Sequence, residues 1–319
     1  VAWLEETVSH ANRTGKMITR MTRNVTRNMR IAGTEMENSD SGEEDETWER
    51  PNIVRESVKP TKIEVDEHMV THVPFRSWCP MCVKGKSNLK GHYRRSSENI
   101  ESEVPVISID YMWMGQENSK EETEGDGSAP ILVIHDRRTK MKYARMVEAK
   151  GQHWYSQTTL VRIIRQLGYN RIILKSDGER SIVSLKEAVA KELKNEQIEV
   201  ILEESPTGSS GSNGEVERAI REIQGQIRTM KIALESRIGK TIESTWNILP
   251  WMVTQAAALL SRIQKGADGR TAYERWKGKK YTRQMIEFGE EILARTAEKP
   301  SDKMEARWKN AVFLGRTEG

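Results

Sequence analysis

Cysteine is nearly absent: the 319 residues hold only Cys79 and Cys82. Thiols so close in sequence cannot close a useful disulfide loop, which excludes a disulfide framework and makes a reducing compartment the expectation. No run of about 18 apolar residues occurs, so no membrane-spanning helix and no membrane partner are expected. The opening residues also lack the basic-then-apolar pattern of a secretory signal. Charge of one sign is scarcely in excess, with 51 Lys and Arg against 47 Asp and Glu for a net of +4. The clustering of basic residues therefore matters more than their total. The balance of 31% charged and 36% hydrophobic residues fits a soluble protein long enough for two or three small domains. A first residue of Val and a last strand-like stretch, Ala311 to Leu314, are what a fragment of a longer product would show.

Residues 1–60 read as a disordered, charged segment. Arg13 to Arg30 is basic with few large apolar residues and Glu37 to Glu49 is acidic, so neither buries enough surface to offset chain entropy. Residues 61–98 hold His68 and His72, four apart on one helical face, and Cys79-Pro-Met-Cys82 with the two-residue gap of a zinc knuckle. Both thiolates can then reach one tetrahedral ion, and a structural Zn²⁺ would supply on the order of 10 kcal/mol of folding energy. His92 is an alternative ligand. A redox pair is the rival reading of CxxC, but it calls for a thioredoxin-like βαβ context that is missing here.

From residue 99 to 265 the pattern is α/β. Val104 to Trp113 alternates as a strand carrying Asp110. A Gly- and Glu-rich insert leads to strands at Ile131 to His135 and Met141 to Val147. A helix over Leu160 to Leu167 ends at Gly168, and Arg171 to Lys175 is a short strand with Asp177-Gly178 beyond it. A helix through Ile182, Leu185, Val189 and Leu193 precedes a strand at Ile198 to Leu202. Three strands in a meander, then alternating helices and strands, give a mixed five-stranded sheet covered on both sides. Trp246 to Ile263 is a further helix. Residues 266–319 read as a turn-rich linker and part of a small β-barrel, with strands at Glu291 to Arg295 and Ala311 to Leu314.

The stretch SPTGSSGSNGEVERAIREIQGQIRTMK, Ser205 to Lys231, combines a loop with a helix. Its first half is turn-forming and reads as mobile. Val216, Ile220, Ile223, Ile227 and Met230 then form an apolar stripe. About 100° away runs a second stripe, Glu217, Arg221, Gln224, Arg228 and Lys231. Ser212 or Asn213 would cap this helix and leave Glu217 in its first turn. Asp110, Asp177 and Glu217 thus stand at ends of elements. If the first and fourth strands are neighbours, such acids can hold Mg²⁺ or Mn²⁺ for in-line phosphoryl transfer. As a solvated face, the same residues would have no such role.

In their order, HxxxH, CxxC, IDYM, LKSDGE and SPTGSSGSNGEVER resemble the integrase of retroviruses and, more closely, of copia-type LTR retrotransposons. The downstream TAYERWKGK, FGEEILAR and WKNAVFLG are similar to segments on the C-terminal side of that catalytic core. The resemblance implies a ribonuclease H-like core with Asp110, Asp177 and Glu217 as catalytic Mg²⁺ or Mn²⁺ ligands, and a module in which His68, His72, Cys79 and Cys82 hold Zn²⁺. Arg218, Arg221, Arg228 and Lys231 would meet DNA. It further implies 3′-end trimming of element cDNA and strand transfer into host DNA, acting as a homo-oligomer on double-stranded DNA, in cytoplasmic virus-like particles and then the nucleus. Glu215 and Glu222 are rivals to Glu217. The interval between Asp177 and Glu217 exceeds the retroviral one, and that between His72 and Cys79 is much shorter. Two other readings stay open: a ribonuclease H-type nuclease, against which the lack of an acid from Gln152 to Gly168 counts, and an integrase-derived DNA-binding protein without chemistry.

Overall fold

The computed structural model describes residues 60–86, 104–114, 129–205, 214–295, 304 and 306–316. The charged segment 1–59, His92, most of the acidic insert and most of the Ser/Gly loop with Ser212 and Asn213 lie outside the described residues. The helices are α1 (Lys62–Thr71), α2 (Pro80–Lys86), α3 (Trp154–Leu167), α4 (Arg180–Lys194), α5 (Gly214–Ile238), α6 (Leu249–Ile263) and α7 (Ala272–Lys277). The strands are β1 (Val106–Met112), β2 (Ile131–Asp136), β3 (Lys142–Met146), β4 (Arg171–Ser176), β5 (Glu199–Glu204), β6 (Glu291–Arg295) and β7 (Trp308–Val312).

The first five strands form one sheet in the order β3-β2-β1-β4-β5. β1 runs antiparallel to β2 and β2 to β3, whereas β1 with β4 and β4 with β5 are parallel. This is the mixed five-stranded sheet that the sequence leads one to expect. All six residues of β2 are buried, as a strand covered on both faces requires. On one face Ile107, Ile109, Leu160, Ile164, Leu185 and Val189 join the sheet to α3 and α4. On the other Ile131, Val133, Val216, Ile223, Ile227 and Met252 join it to α5 and α6. Each such side chain contributes roughly 1.5–3 kcal/mol by leaving water. The free edge of β3 is closed by α6: the Ser261 hydroxyl accepts the Lys142 N–H at 2.9 Å and donates to the Lys142 carbonyl at 3.0 Å.

Local signals explain the ends. α3 stops where Gly168 takes the left-handed conformation, φ 77°, which costs glycine little. α1 starts with a capping box: the Thr61 hydroxyl accepts the Glu64 N–H at 3.2 Å and Glu64 accepts the Thr61 N–H at 2.8 Å. The same device, Thr271 with Glu274, starts α7 inside the segment expected to be a turn-rich linker. The expected barrel is represented among the described residues by two antiparallel strands, β6 and β7. Phe288 and Leu314 beside them pack into the core of α5 and α6.

Candidate metal centres

The His/Cys cluster is built by α1, α2 and the turn between them. His68 lies in the last turn of α1, and His72 follows as its C-cap with φ 53°, so the left-handed turn swings the second imidazole toward α2. Cys79 and Cys82 straddle the start of α2. All four are buried, and one ligand atom from each lies within 4.8 Å of the others. Cys79 Sγ is 3.5 Å from His72 Nδ1 and Cys82 Sγ is 3.4 Å from His68 Nε2. Bond lengths of about 2.3 Å to sulfur and 2.0–2.1 Å to nitrogen give a tetrahedral S···N edge of about 3.5 Å, so the spacing suits zinc. The contact with Cys82 draws the Cys79 thiol well below its usual range, and the same contact, with burial, pushes Cys82 up. One thiolate therefore forms readily, and a bound Zn²⁺ would take both. Metal analysis of the chain should find about one zinc, lost in Cys79→Ser together with thermal stability. A folded, zinc-free wild-type protein would overturn this.

The cluster is seated on α5. Gln226 donates to the Thr71 carbonyl at 2.8 Å, and Arg228 Nε donates to the Gly85 carbonyl at 3.0 Å. Lys86 Nζ closes the seat by donating to the His72 carbonyl at 2.7 Å. A Cβ on Gly85 would run into the Thr229 hydroxyl and lie 2.8 Å from the Thr229 backbone nitrogen, and one on Gly225 would lie 3.2 Å from Lys86 Cγ. Two helices approach this closely only where glycine faces the partner.

The acids of the sequence reading stand elsewhere, on β1, just past β4 and at the start of α5. Asp110 is opposite Val133, whose side chain belongs to the core under α5 and α6. Cross-strand partners share a face, so Asp110 leaves the sheet on the α5 side. Asp177 immediately follows β4, at the carboxyl end that β4 shares with its parallel neighbour β1. Glu217 lies exposed in the first turn of α5. Burial first, then the negative charges of Asp177, Glu217 and Glu179, push the Asp110 carboxyl up to about 6, against the opposing effect of its hydrogen bond from the Tyr111 N–H. The charges of the three acids thus meet at Asp110, although they are not gathered as a ligand group in the way the His/Cys set is. Carboxylates without a cation between them repel one another.

Glu179 closes the LKSDGE motif, but the sequence reading gives a role in that motif to Asp177 alone. It lies two residues past Asp177 and is held by Lys150 Nζ at 3.0 Å, and that ammonium sits 5.6 Å from the ring centroid of the exposed Trp113. The rivals of Glu217 are occupied. Glu215 lies 3.4 Å from Lys140 and 3.7 Å from Arg137, and Glu222 lies 3.1 Å from both Lys142 and Arg218. Of the basic residues on α5, Arg218 thus pairs with Glu222 and Lys231 with Glu235. Arg221 is exposed and has no ion-pair partner among the described residues. No helix among the described residues is long and apolar enough to cross a membrane.

No protein-family model matches the chain, and no curated protein matches it in sequence. Among solved structures it is similar to the catalytic core domain of BIV integrase, at 16% identity and a TM-score of 0.35, over 54% of this chain and 93% of that one.

Proposed function

We propose that this chain is an integrase of the copia type, a metal-dependent polynucleotidyl transferase that trims the 3′ ends of retroelement cDNA and joins them to host DNA. One observation carries the reading: Ser108 is opposite Lys175 in the parallel β1–β4 pair, so Asp110 and Asp177, each two residues further on, stand side by side at the same end of the sheet. Divalent ions held there would activate the attacking oxygen and stabilise the leaving one. Asp110 would serve from the sheet, Asp177 from the end of β4 and Glu217 from the first turn of α5. Arg221, with Arg218, Arg228 and Lys231 beside it, would bind phosphates along α5. His68, His72, Cys79 and Cys82 would hold a structural Zn²⁺. The division into a charged segment 1–60, a zinc module 61–98, a core 99–265 and a C-terminal segment 266–319 belongs to the same proposal. So do action as a homo-oligomer and residence in cytoplasmic particles and then the nucleus.

The test is a Mg²⁺-dependent strand-transfer assay on a blunt oligonucleotide from the element's own end. Wild type should join it to target DNA, and Asp177→Asn and Glu217→Gln should fall to background while folding and DNA affinity hold. Transfer retained by Glu217→Gln would reject that residue as a ligand. DNA binding without any transfer by wild type would leave a binding protein in place of the enzyme. Arg221→Ala should weaken DNA binding and lower its salt slope by about one unit. An unchanged slope would make that face merely solvated.

A further inference from the structure

α4 packs on the sheet through Ile182, Leu185, Val189 and Leu193, all fully buried, and Lys186 lies on that same face at 0% exposure. An ammonium among aliphatic side chains is costly unless it is paired and hydrogen-bonded. Its Nζ donates to the Glu203 carbonyl at 2.8 Å. Glu203 is opposite Lys175, and the next residue, Glu204, is opposite Ser176, the residue before Asp177. Glu204 Oε2 comes within 3.8 Å of the Cβ position of Gly178, the residue after Asp177. The buried ammonium therefore lies beneath the joined ends of β4 and β5, from which Asp177 and Glu204 emerge. The Glu203 carboxylate is already paired with Lys175. Burial pulls the Lys186 ammonium toward its neutral form, and Glu204, Asp177, Glu203 and Glu187, in that order, oppose this. With Glu203 committed to Lys175, Glu204 and Asp177 are left as the main counter-charges.

We infer that Lys186 is a positioning residue, a fixed internal cation that partly neutralises the Asp177–Glu204 end of the sheet and so weakens divalent-ion binding before DNA arrives. The inference rests on the proposed active site and adds a control on it. Because the ammonium is tethered to a main-chain carbonyl and sealed from water, its charge cannot swing away when an ion enters. A divalent ion meets both the attraction of the carboxylates and the repulsion of Lys186. DNA phosphates add the negative charge that tips this balance, so metal loading and substrate binding become linked.

Calorimetric titration of the full chain with Mg²⁺ alone, without DNA, tests this. Lys186→Met and Lys186→Gln should bind Mg²⁺ about 3- to 30-fold more tightly than wild type, the range expected for removing one charge at partly screened distance. The Gln variant keeps a donor for the Glu203 carbonyl, so the charge is removed without orphaning that group. A purely structural lysine gives the opposite sign, since loosening the β4–β5 end would weaken Mg²⁺ binding. Equal or weaker binding by a folded Gln variant, shown by circular dichroism, overturns the inference. Asp177→Asn separates the two levels. If it binds Mg²⁺ as wild type does, the active-site reading falls and this inference with it. If it loses binding while Lys186→Gln binds no tighter, only this inference falls.

Discussion

Asp110→Asn should make the metal-free protein more stable at about pH 7.5 while removing the strand transfer proposed for it. In the folded chain the Asp110 carboxyl is pushed from 3.8 to about 6, chiefly by burial and then by Asp177, Glu217 and Glu179. A folded-state value above the unfolded one means that ionisation opposes folding. Below about pH 4 the acid is protonated in both states and carries no penalty. As pH rises through about 6 the penalty becomes complete, at most about 3 kcal/mol. Asparagine is neutral throughout, so its advantage should be full above pH 6 and vanish toward pH 4. Saturating Mg²⁺ should reverse the order, raising the melting temperature of wild type but not of the variant. Melting curves from pH 4 to 8 with and without Mg²⁺ read both effects. A variant less stable than wild type at pH 7.5 without metal would show that Asp110 is not held against its own charge.

Gly85→Val should lift the zinc-ligand segment off α5. The new Cβ would meet the Thr229 side chain and lie 2.8 and 2.9 Å from its backbone nitrogen and Cα, atoms of a helix interior that cannot give way. Overpacking of this kind costs about 1–3 kcal/mol, and more where backbone is involved. The segment should become protease-sensitive and the melting temperature should fall by several degrees, whereas zinc content should hold because all four ligands remain. In Gly85→Ala, adding Thr229→Ala should recover only part of the loss, since it removes the hydroxyl but leaves the backbone clash. An unchanged melting temperature and protease pattern in Gly85→Val would mean that the two helices are not in contact in solution.

Much of this was legible in the sequence where the signal is periodic and local. In the stripe Val216, Ile220, Ile223, Ile227 and Met230, four residues are buried as the spacing predicts and Ile220 is half-buried, and Gly168 ends α3 as expected. The HxxxH and CxxC spacings brought four ligands together because two short turns suffice. What was hidden is carried by contacts between residues remote in sequence. Nothing in Lys84-Gly-Lys86 announces that Gly85 faces Thr229. Only the folded chain shows that Lys140, Arg137 and Lys142 occupy Glu215 and Glu222, leaving Glu217 outward. Lys186 breaks the apolar face of α4 and reads as polar until the Glu203 carbonyl appears above it. α7 is not visible as a helix in the sequence because six residues are too few for a periodic signal, although its capping box can be found there. β5 runs past its apolar part to Glu204 because parallel pairing with β4 continues to Ser176.

The grip of the His/Cys segment on α5 falls at Gly225 to Thr229, while Glu217 sits near the helix start, about 12 Å along the axis from Gly225 at 1.5 Å per residue. Val216 and Ile223 hold the intervening turns on the sheet, so the grip and the sheet together fix where Glu217 stands. A tilt of about 5° there would carry the Glu217 carboxylate by roughly 1 Å, a displacement that phosphoryl chemistry tolerates poorly. Loss of a zinc held by His68, His72, Cys79 and Cys82 would then blunt the proposed transfer without touching any acid, and the loss would be one of aim.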